Sequence, residues 1–503
     1  MAESDHRIKT VLIVGGGVAG WMAAAYLNRL LQGTDCSVTV VESVKLETSA
    51  VGMATLPSLV RFLRGLRVDE IKWMQQCSGT YKLGTRFVDW MHAGREFWHP
   101  HGLAGGTIND IDLFHFWLKS LRAGRPEMPY WSYSLQALLA ERDLGPRPLR
   151  GPSPIIEAGA YGYHLDPATL ADAFRELAVS EEVNHLFDDV SGVALDGAGR
   201  ITHVETKAGR RLAADLFIDC TDGGELIERR LGDPWVDWST ALPCDRAVIL
   251  PLPRDPRMPP YTRVTALSAG WMWHIPLSHR VACGYAYASA CLPEDAALRE
   301  LVSHATAQKA ATGQPRWLKL RAGRRQQFWR TNCVALGPAA VAVGSLAGTD
   351  TFLVEKTLEL LVACFPDDTL SPALQQLYNR RIAALCEKVR DFVLLHYLLS
   401  DRADGPFWRD SRAAPVPESL RTVIELHAEN GLVEPGAVFS EGSYHCLFAA
   451  ADRLPRRPLA AADAADFTRV ADILQLIRNQ NEEWLTKLAS HAELIATIHR
   501  PLV

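Results

Sequence analysis

"TVLIVGGGVAGWMAAAYLNRLL", residues 10–31, decides the fold. Apolar residues from Val11 to Val14 make a short buried strand, Gly15-x-Gly17-x-x-Gly20 turns the chain, and an alanine-rich run continues as a helix. A second apolar run, "SVTVVE", ends in Glu42, about twenty residues past the last glycine. Strand, glycines, helix, strand and acid in this order form the βαβ dinucleotide fingerprint. Glycine permits the tight turn and the close approach of backbone to pyrophosphate. The first N–H groups of the helix attract the anion, and a carboxylate at the tip of the second strand can accept from ribose hydroxyls.

The chain has 503 residues, room for one large or two to three ordinary domains, and its 48% hydrophobic and 22% charged content is that of a globular protein. Net charge is −5 with no basic block, so neither nucleic acid nor an anionic membrane is an expected partner. The N-terminus reads as neither a signal peptide nor a membrane anchor. Ten cysteines without a C-x-x-C pair argue against structural zinc or a disulfide framework. A cytoplasmic enzyme with reduced thiols is expected.

The fingerprint alone does not choose between FAD and NAD. Its place near the start of a long chain favours FAD, as does "RRLAADLFIDCTDG", residues 210–223, a later strand that can return beside the same nucleotide. Residues 46–90 read as short helices around "VGMATLPSLVRFL" and "YKLGTRFVDW". Proline clusters at 146–154 and 243–260 mark excursions from the main sheet. Between them lie a helix over 167–178 and a hairpin around "LDGAGR". Beyond about residue 352 the pattern is helical, and Ile473, Ile477, Trp484, Leu488, Ile495 and Ile498 recur along one helical face. In "GWMWHIP", residues 270–276, an extended backbone puts Trp271 and Trp273 on the same side of a strand as a flat apolar wall.

"GGGVAGWMAAAYL", "VGMATLPSL", "YKLGTRFVDW", "DLFIDCTDG", "VDWSTALPCDRAV", "GWMWHIPLSHR" and "GPFWRDSRAAPVPESL" together resemble, in order, the flavin-dependent tryptophan halogenases, and they cover nearly the whole chain. The G-W-x-W-x-I-P run carries the most specific likeness.

The resemblance implies an α/β fold of the FAD-binding Rossmann type, similar to glutathione reductase, with mixed sheets and a largely helical C-terminal region. An FAD-binding box would span 7–350, interleaved with substrate-side segments at about 91–165 and 235–330, and helices over 351–503 would close the pocket. It implies a two-component scheme. A separate NAD(P)H-dependent reductase supplies FADH2, O2 makes a flavin C4a-hydroperoxide, and chloride or bromide converts it to hypohalous acid. That oxidant travels to a lysine beside a small aromatic or carrier-bound substrate. A homodimer is compatible with it.

By resemblance, Lys82 is the catalytic lysine, half-desolvated among Tyr81, Leu83 and Phe87, and Trp271 and Trp273 screen the flavin from substrate. Flavin contacts fall at Gly15, Gly17, Ala19, Gly20, Glu42, Ala54, Val190 and Thr351, halide contacts at Thr349 and Asp350, and substrate contacts at His101, Tyr444 and His445. The histidines of "WHPHG" supply two metal-type ligands without a third, so no metal is expected.

Three departures stand out. The family's E-P-L-E-S-T-G becomes "GSLAGTD" at 344–350, with Ala347 in place of the second glutamate and Asp350 in place of glycine. V-G-E-A-T becomes V-G-M-A-T at 51–55. Glu355 is the nearest substitute acid, with a salt bridge to Arg380 as its simpler fate. Three readings stay open: a halogenase of an electron-rich indole or phenol, a monooxygenase that has lost halide use, and a catalytically silent flavin binder.

Overall fold

The computed structural model describes residues 6–43, 51–125, 128–305, 313–434 and 438–500. The fingerprint strand Thr10–Val14 lies at the centre of a six-stranded sheet, flanked in parallel by Ser37–Glu42 and Leu216–Asp219. Asn184–Phe187 and Cys333–Ala335 extend the sheet in parallel on either side, and Trp329–Arg330 closes one edge antiparallel. A parallel sheet buried on both faces calls for continuous apolar strands, and Val11 to Val14 are all buried. The helix Val18–Leu30 packs on the helices Pro167–Ser180 and Asp350–Ala363. A three-stranded antiparallel sheet, Val190–Leu195, Ile201–Thr206 and Arg211–Ala213, contains the "LDGAGR" hairpin. This is the Rossmann-type α/β arrangement expected from the sequence.

A second, larger sheet is mainly antiparallel. It runs Arg316–Lys319, Arg246–Ile249, Arg280–Tyr287, Gly270–Pro276, Thr262–Leu267, Gly84–Val88 and Glu96–Pro100. Among the described residues, every helix or strand after Thr349 is a helix, and none is long and apolar enough to cross a membrane. All ten cysteines are free.

Two expectations are corrected. "YKLGTRFVDW" is not helical: Thr80–Lys82 and Gly84–Val88 are strands, because alternation in "TYKLGTRFV" matches a period of two and a glycine interrupts it. Of residues 46–90, read as short helices, 46–50 lie outside the described residues. The final apolar stripe is split over two helices, Phe467–Leu485 and His491–Ile498, with Leu488 in the turn between them.

Candidate functional site

At the C-terminal end of the fingerprint strand the chain turns at Gly15 with φ +115°, where a Cβ would lie 2.8 Å from the Cys220 backbone. Gly20 is needed for close packing, since a Cβ there would meet the Gly15 carbonyl oxygen at 1.9 Å. Gly17, the residue before the helix, has nothing within 4 Å of the corresponding position and faces open space. Ala19 is buried in the first turn of that helix. Glu42 ends the neighbouring strand, buried, and accepts from His185 Nε2 at 2.9 Å. A cleft of about 500 Å³ opens here, lined by Val14, Gly15, Val41, Val190, Thr221 and Gly223 among others. Thr221 and Gly223 come from "DCTDG", so the later strand does return to the nucleotide end. A helix N-terminus, an open glycine and an acid on the second strand fit the pyrophosphate and ribose of FAD.

Lys82 ends the strand Thr80–Lys82, paired with Gly162 in a small sheet that also holds Met53–Ala54. It is 1% exposed, and burial lowers its amine to about 7. No ion pair or hydrogen bond of this amine is found among the described residues. Because the segment is a strand, its neighbours in sequence face the other way: Tyr81 packs on Tyr161, Tyr163 and His491, and Phe87 stacks on Phe97. The aromatic surroundings expected from Tyr81 and Phe87 are therefore not those of the amine. Its charge acts instead on His99, His101 and His164.

The amine lies against the loop that resembles the halide site. Gly348 has φ +66°, and a Cβ there would come within 2.8 Å of the Ala54 carbonyl oxygen and 3.4 Å of Lys82 Nζ. Thr349 and Thr351 are buried beside it, and neither hydroxyl has a partner among the described residues. Both stand at the start of the helix Asp350–Ala363, whose free N–H groups favour an anion. Asp350 is exposed to solvent in the first helical turn, where a carboxylate suits the helix dipole. Ala347 is buried and leaves no carboxylate in this turn. Glu355 does not pair with Arg380. It is buried near Ser58, and desolvation raises its carboxyl to about 8. Ala54 and Thr351 thus lie at this lysine end and not in the dinucleotide cleft.

The expected indole wall is present. Trp271 and Trp273 share one face of the strand Gly270–Pro276, with ring centroids 5.8 Å apart, and both are buried. Trp271 Nε1 donates to Tyr397 Oη at 3.0 Å, and Trp273 Nε1 donates to the Val51 carbonyl at 3.2 Å. Val51 is three peptide bonds from Ala54, whose carbonyl lies beside the same Gly348 position as Lys82 Nζ. The Trp273 ring lies flat over Gly284 of the next strand, where a Cβ would sit 2.2 Å from its Cζ2. Gly284→Ala is expected to swing that indole off the sheet. The check is indole fluorescence in the flavin-free protein, where the Trp273 contribution should shift to longer wavelength; an unchanged spectrum would contradict the placement.

A cavity of about 210 Å³ is lined by Leu56, Pro57, His99, His101, Phe352 and Phe439 among others. Of the residues expected at the substrate, only His101 is on this wall. Tyr444 sits one ring back, edge-on to Phe392, which itself stacks on Phe439. His445 is buried elsewhere, stacked on Phe114, with Nδ1 at 3.2 Å from Asp112 and Nε2 at 2.9 Å from the Gly431 carbonyl. Leu56, Pro57, Arg61 and Phe439 were not expected here. "LPSLVR" was visible as a helix start, but its alternation does not reveal which side meets a cavity. Among the described residues no group of three or more His, Cys, Asp or Glu could hold a metal ion.

Comparison with known proteins places these features together. The family model for tryptophan halogenase matches residues 10–466. The chain is 37% identical over 442 residues to the tryptophan 6-halogenase SttH of Streptomyces toxytricini, covering 82% of this chain and 83% of that one. It superposes with a TM-score of 0.91 on BrvH, a flavin-dependent halogenase from Brevundimonas sp. BAL3, at 35% identity over 99% of this chain and 100% of that one. Against Xcc4156, a flavin-dependent halogenase from Xanthomonas campestris, the TM-score is 0.92 at 34% identity, covering 98% of each.

Proposed function

The chain belongs to the tryptophan halogenase family of flavin-dependent enzymes, and on that premise we propose that it halogenates a small electron-rich arene through Lys82. The observation that carries this reading is the buried amine beside the anion-suited helix start, its charge acting on two histidines that line an arene-sized cavity. Bound FADH2, delivered by a separate flavin reductase, would supply with O2 the oxidising equivalents that turn chloride or bromide into hypohalous acid. The glycine turn holds the pyrophosphate, and Glu42 serves the ribose. Trp271 and Trp273 keep the arene from the flavin and water from the passage. Thr349 N–H and hydroxyl groups hold the halide, with Asp350 turned to solvent. Lys82 donates a proton to the hypohalous oxygen, making the halogen electrophilic, and the cavity holds the ring in reach.

The test is a reductase-coupled reaction with FAD, NADH and bromide on a panel of indoles and phenols. Bromoarene formation is expected; a protein that binds flavin yet brominates none of them would contradict the reading. Ala347 favours one second reading, oxygenation of the arene without halide, because no carboxylate stands in that turn beside the amine.

Arg61 is the one formally charged side chain among the described residues lining the cavity, since His99 and His101 are kept neutral by burial. A carboxylate on the substrate is therefore favoured over an ammonium. Indole-3-propionate should exceed tryptamine by about tenfold in kcat/KM, a difference that Arg61→Ala removes. Equal rates in the parent enzyme would refute this assignment.

A further inference from the structure

An arene that gains a halogen must lose a ring proton, and a base has to take it. Carboxylates are missing from the described cavity wall, and Ala347 offers none beside Lys82. We propose that His101 is that base. The assignment rests on the halogenase reading above.

Four observations carry it. His101 lines the cavity. It is 7% exposed, and its Nε2 has no partner among the described residues. Its backbone N–H donates to the carbonyl of Leu83, the residue after Lys82, at 2.7 Å. Among charged neighbours, Lys82 acts on it most strongly, whereas His99 feels His396 first. The other histidine around the amine is already used: His164 Nδ1 lies 3.3 Å from Thr80 Oγ1 and its Nε2 2.9 Å from Thr262 Oγ1. Burial and the Lys82 charge keep His101 unprotonated, and the hydrogen bond with the Thr55 backbone is the one interaction that favours its proton. Nε2 is thus the ring nitrogen without a partner among the described residues, and its lone pair is free.

The step balances. The ring π pair forms the carbon–halogen bond as the oxygen–halogen bond breaks, and the departing hydroxide takes a proton from Lys82 to become water. The C–H pair returns to the ring, and its proton goes to His101 Nε2. The imidazolium then hands the proton back to the neutral amine. ArH and HOX become ArX and water, and the buried site carries one positive charge throughout, avoiding the cost of a second. A weakly basic imidazole suffices because the protonated ring intermediate is a very strong acid.

The experiment uses the reductase-coupled enzyme with bromide and either indole or ring-deuterated indole. The parent should form bromoindole with no deuterium isotope effect. His101→Phe should lose about a hundredfold in kcat and acquire a primary isotope effect, because proton removal becomes limiting. His101→Phe combined with Ala347→Glu should recover at least about tenfold of that loss and suppress the isotope effect, since a carboxylate of this kind is an adequate base. In the flavin-free protein, ¹⁵N-imidazole titration should place the His101 pKa higher in Lys82→Met than in the parent. Full activity in His101→Phe, a loss without an isotope effect, or an unmoved His101 titration would each overturn the assignment. A parent that brominates nothing would instead reject the halogenase reading itself.

Discussion

Lys82→Met is expected to reduce halogenation by at least about a thousandfold while flavin binding is retained, since the ammonium is the cationic proton donor placed among the described residues to polarise the oxidant. Methionine matches the length and fills the slot against Ala54 and Gly348, so collapse of the pocket is not the cause. The pH dependence separates chemistry from packing. Burial lowers the amine from 10.5 to about 7 in the folded protein. Between these values the unfolded chain binds more protons than the folded one, so stability rises with pH across that window. Below about 7 the buried ammonium opposes folding in full. Lys82→Met should therefore melt above the parent at neutral pH, with the gap narrowing towards pH 10. If the ammonium form is the active one, kcat falls above pH about 7. Thermal melts across pH, together with a pH–rate profile, check both limbs; a rate that climbs above that pH would assign the work to the free amine instead.

Gly20→Val is expected to weaken flavin binding by about a hundredfold or more and to lower thermal stability. A Cβ at this position would overlap the Gly15 carbonyl at 1.9 Å, and neither side has room to yield. Gly15 is held by its N–H to the Val41 carbonyl at 2.9 Å and is pressed against Cys220. The helix start must therefore move away from the strand, taking with it the N–H groups that face the pyrophosphate. Gly17→Ala is the companion test. Nothing of the protein stands within 4 Å of a Cβ there, so folding is undisturbed while the methyl intrudes on the bound phosphate. Loss of flavin affinity with an unchanged melting temperature is expected for Gly17→Ala, and loss of both for Gly20→Val. Parent-like flavin titrations in both variants would remove the dinucleotide from this cleft.

Long-range placement followed period and local backbone chemistry wherever these were strong. The glycine turn, the Glu42 strand tip and the shared face of Trp271 and Trp273 were legible because each depends on residues a few positions apart. The strand at Lys82 is harder to read, since its period-two alternation is broken at Gly84 and leaves only the three-residue strand "TYK" before the glycine. Reading it as helix carries into the environment of the amine: in a strand, Tyr81 and Lys82 face opposite sides, and the true neighbours come from residues 99, 101 and 164. His445 looked like a pocket residue because it follows Tyr444, yet one step along a helix turns a side chain by roughly a quarter of a turn. It ends in a buried pairing with Asp112 instead. Arg61 and Phe439 had no sequence signal at all, because only the folded chain brings 61, 101 and 439 to one cavity.

The halogenase account meets its sharpest test in product mass under ¹⁸O₂, with indole, reductase, FAD, NADH and bromide present or omitted. Bromoindole free of ¹⁸O, formed only with bromide and lost in Lys82→Met, is the expected result. Hydroxylated indole carrying ¹⁸O at a rate indifferent to bromide would contradict it and leave the oxygenating reading in its place.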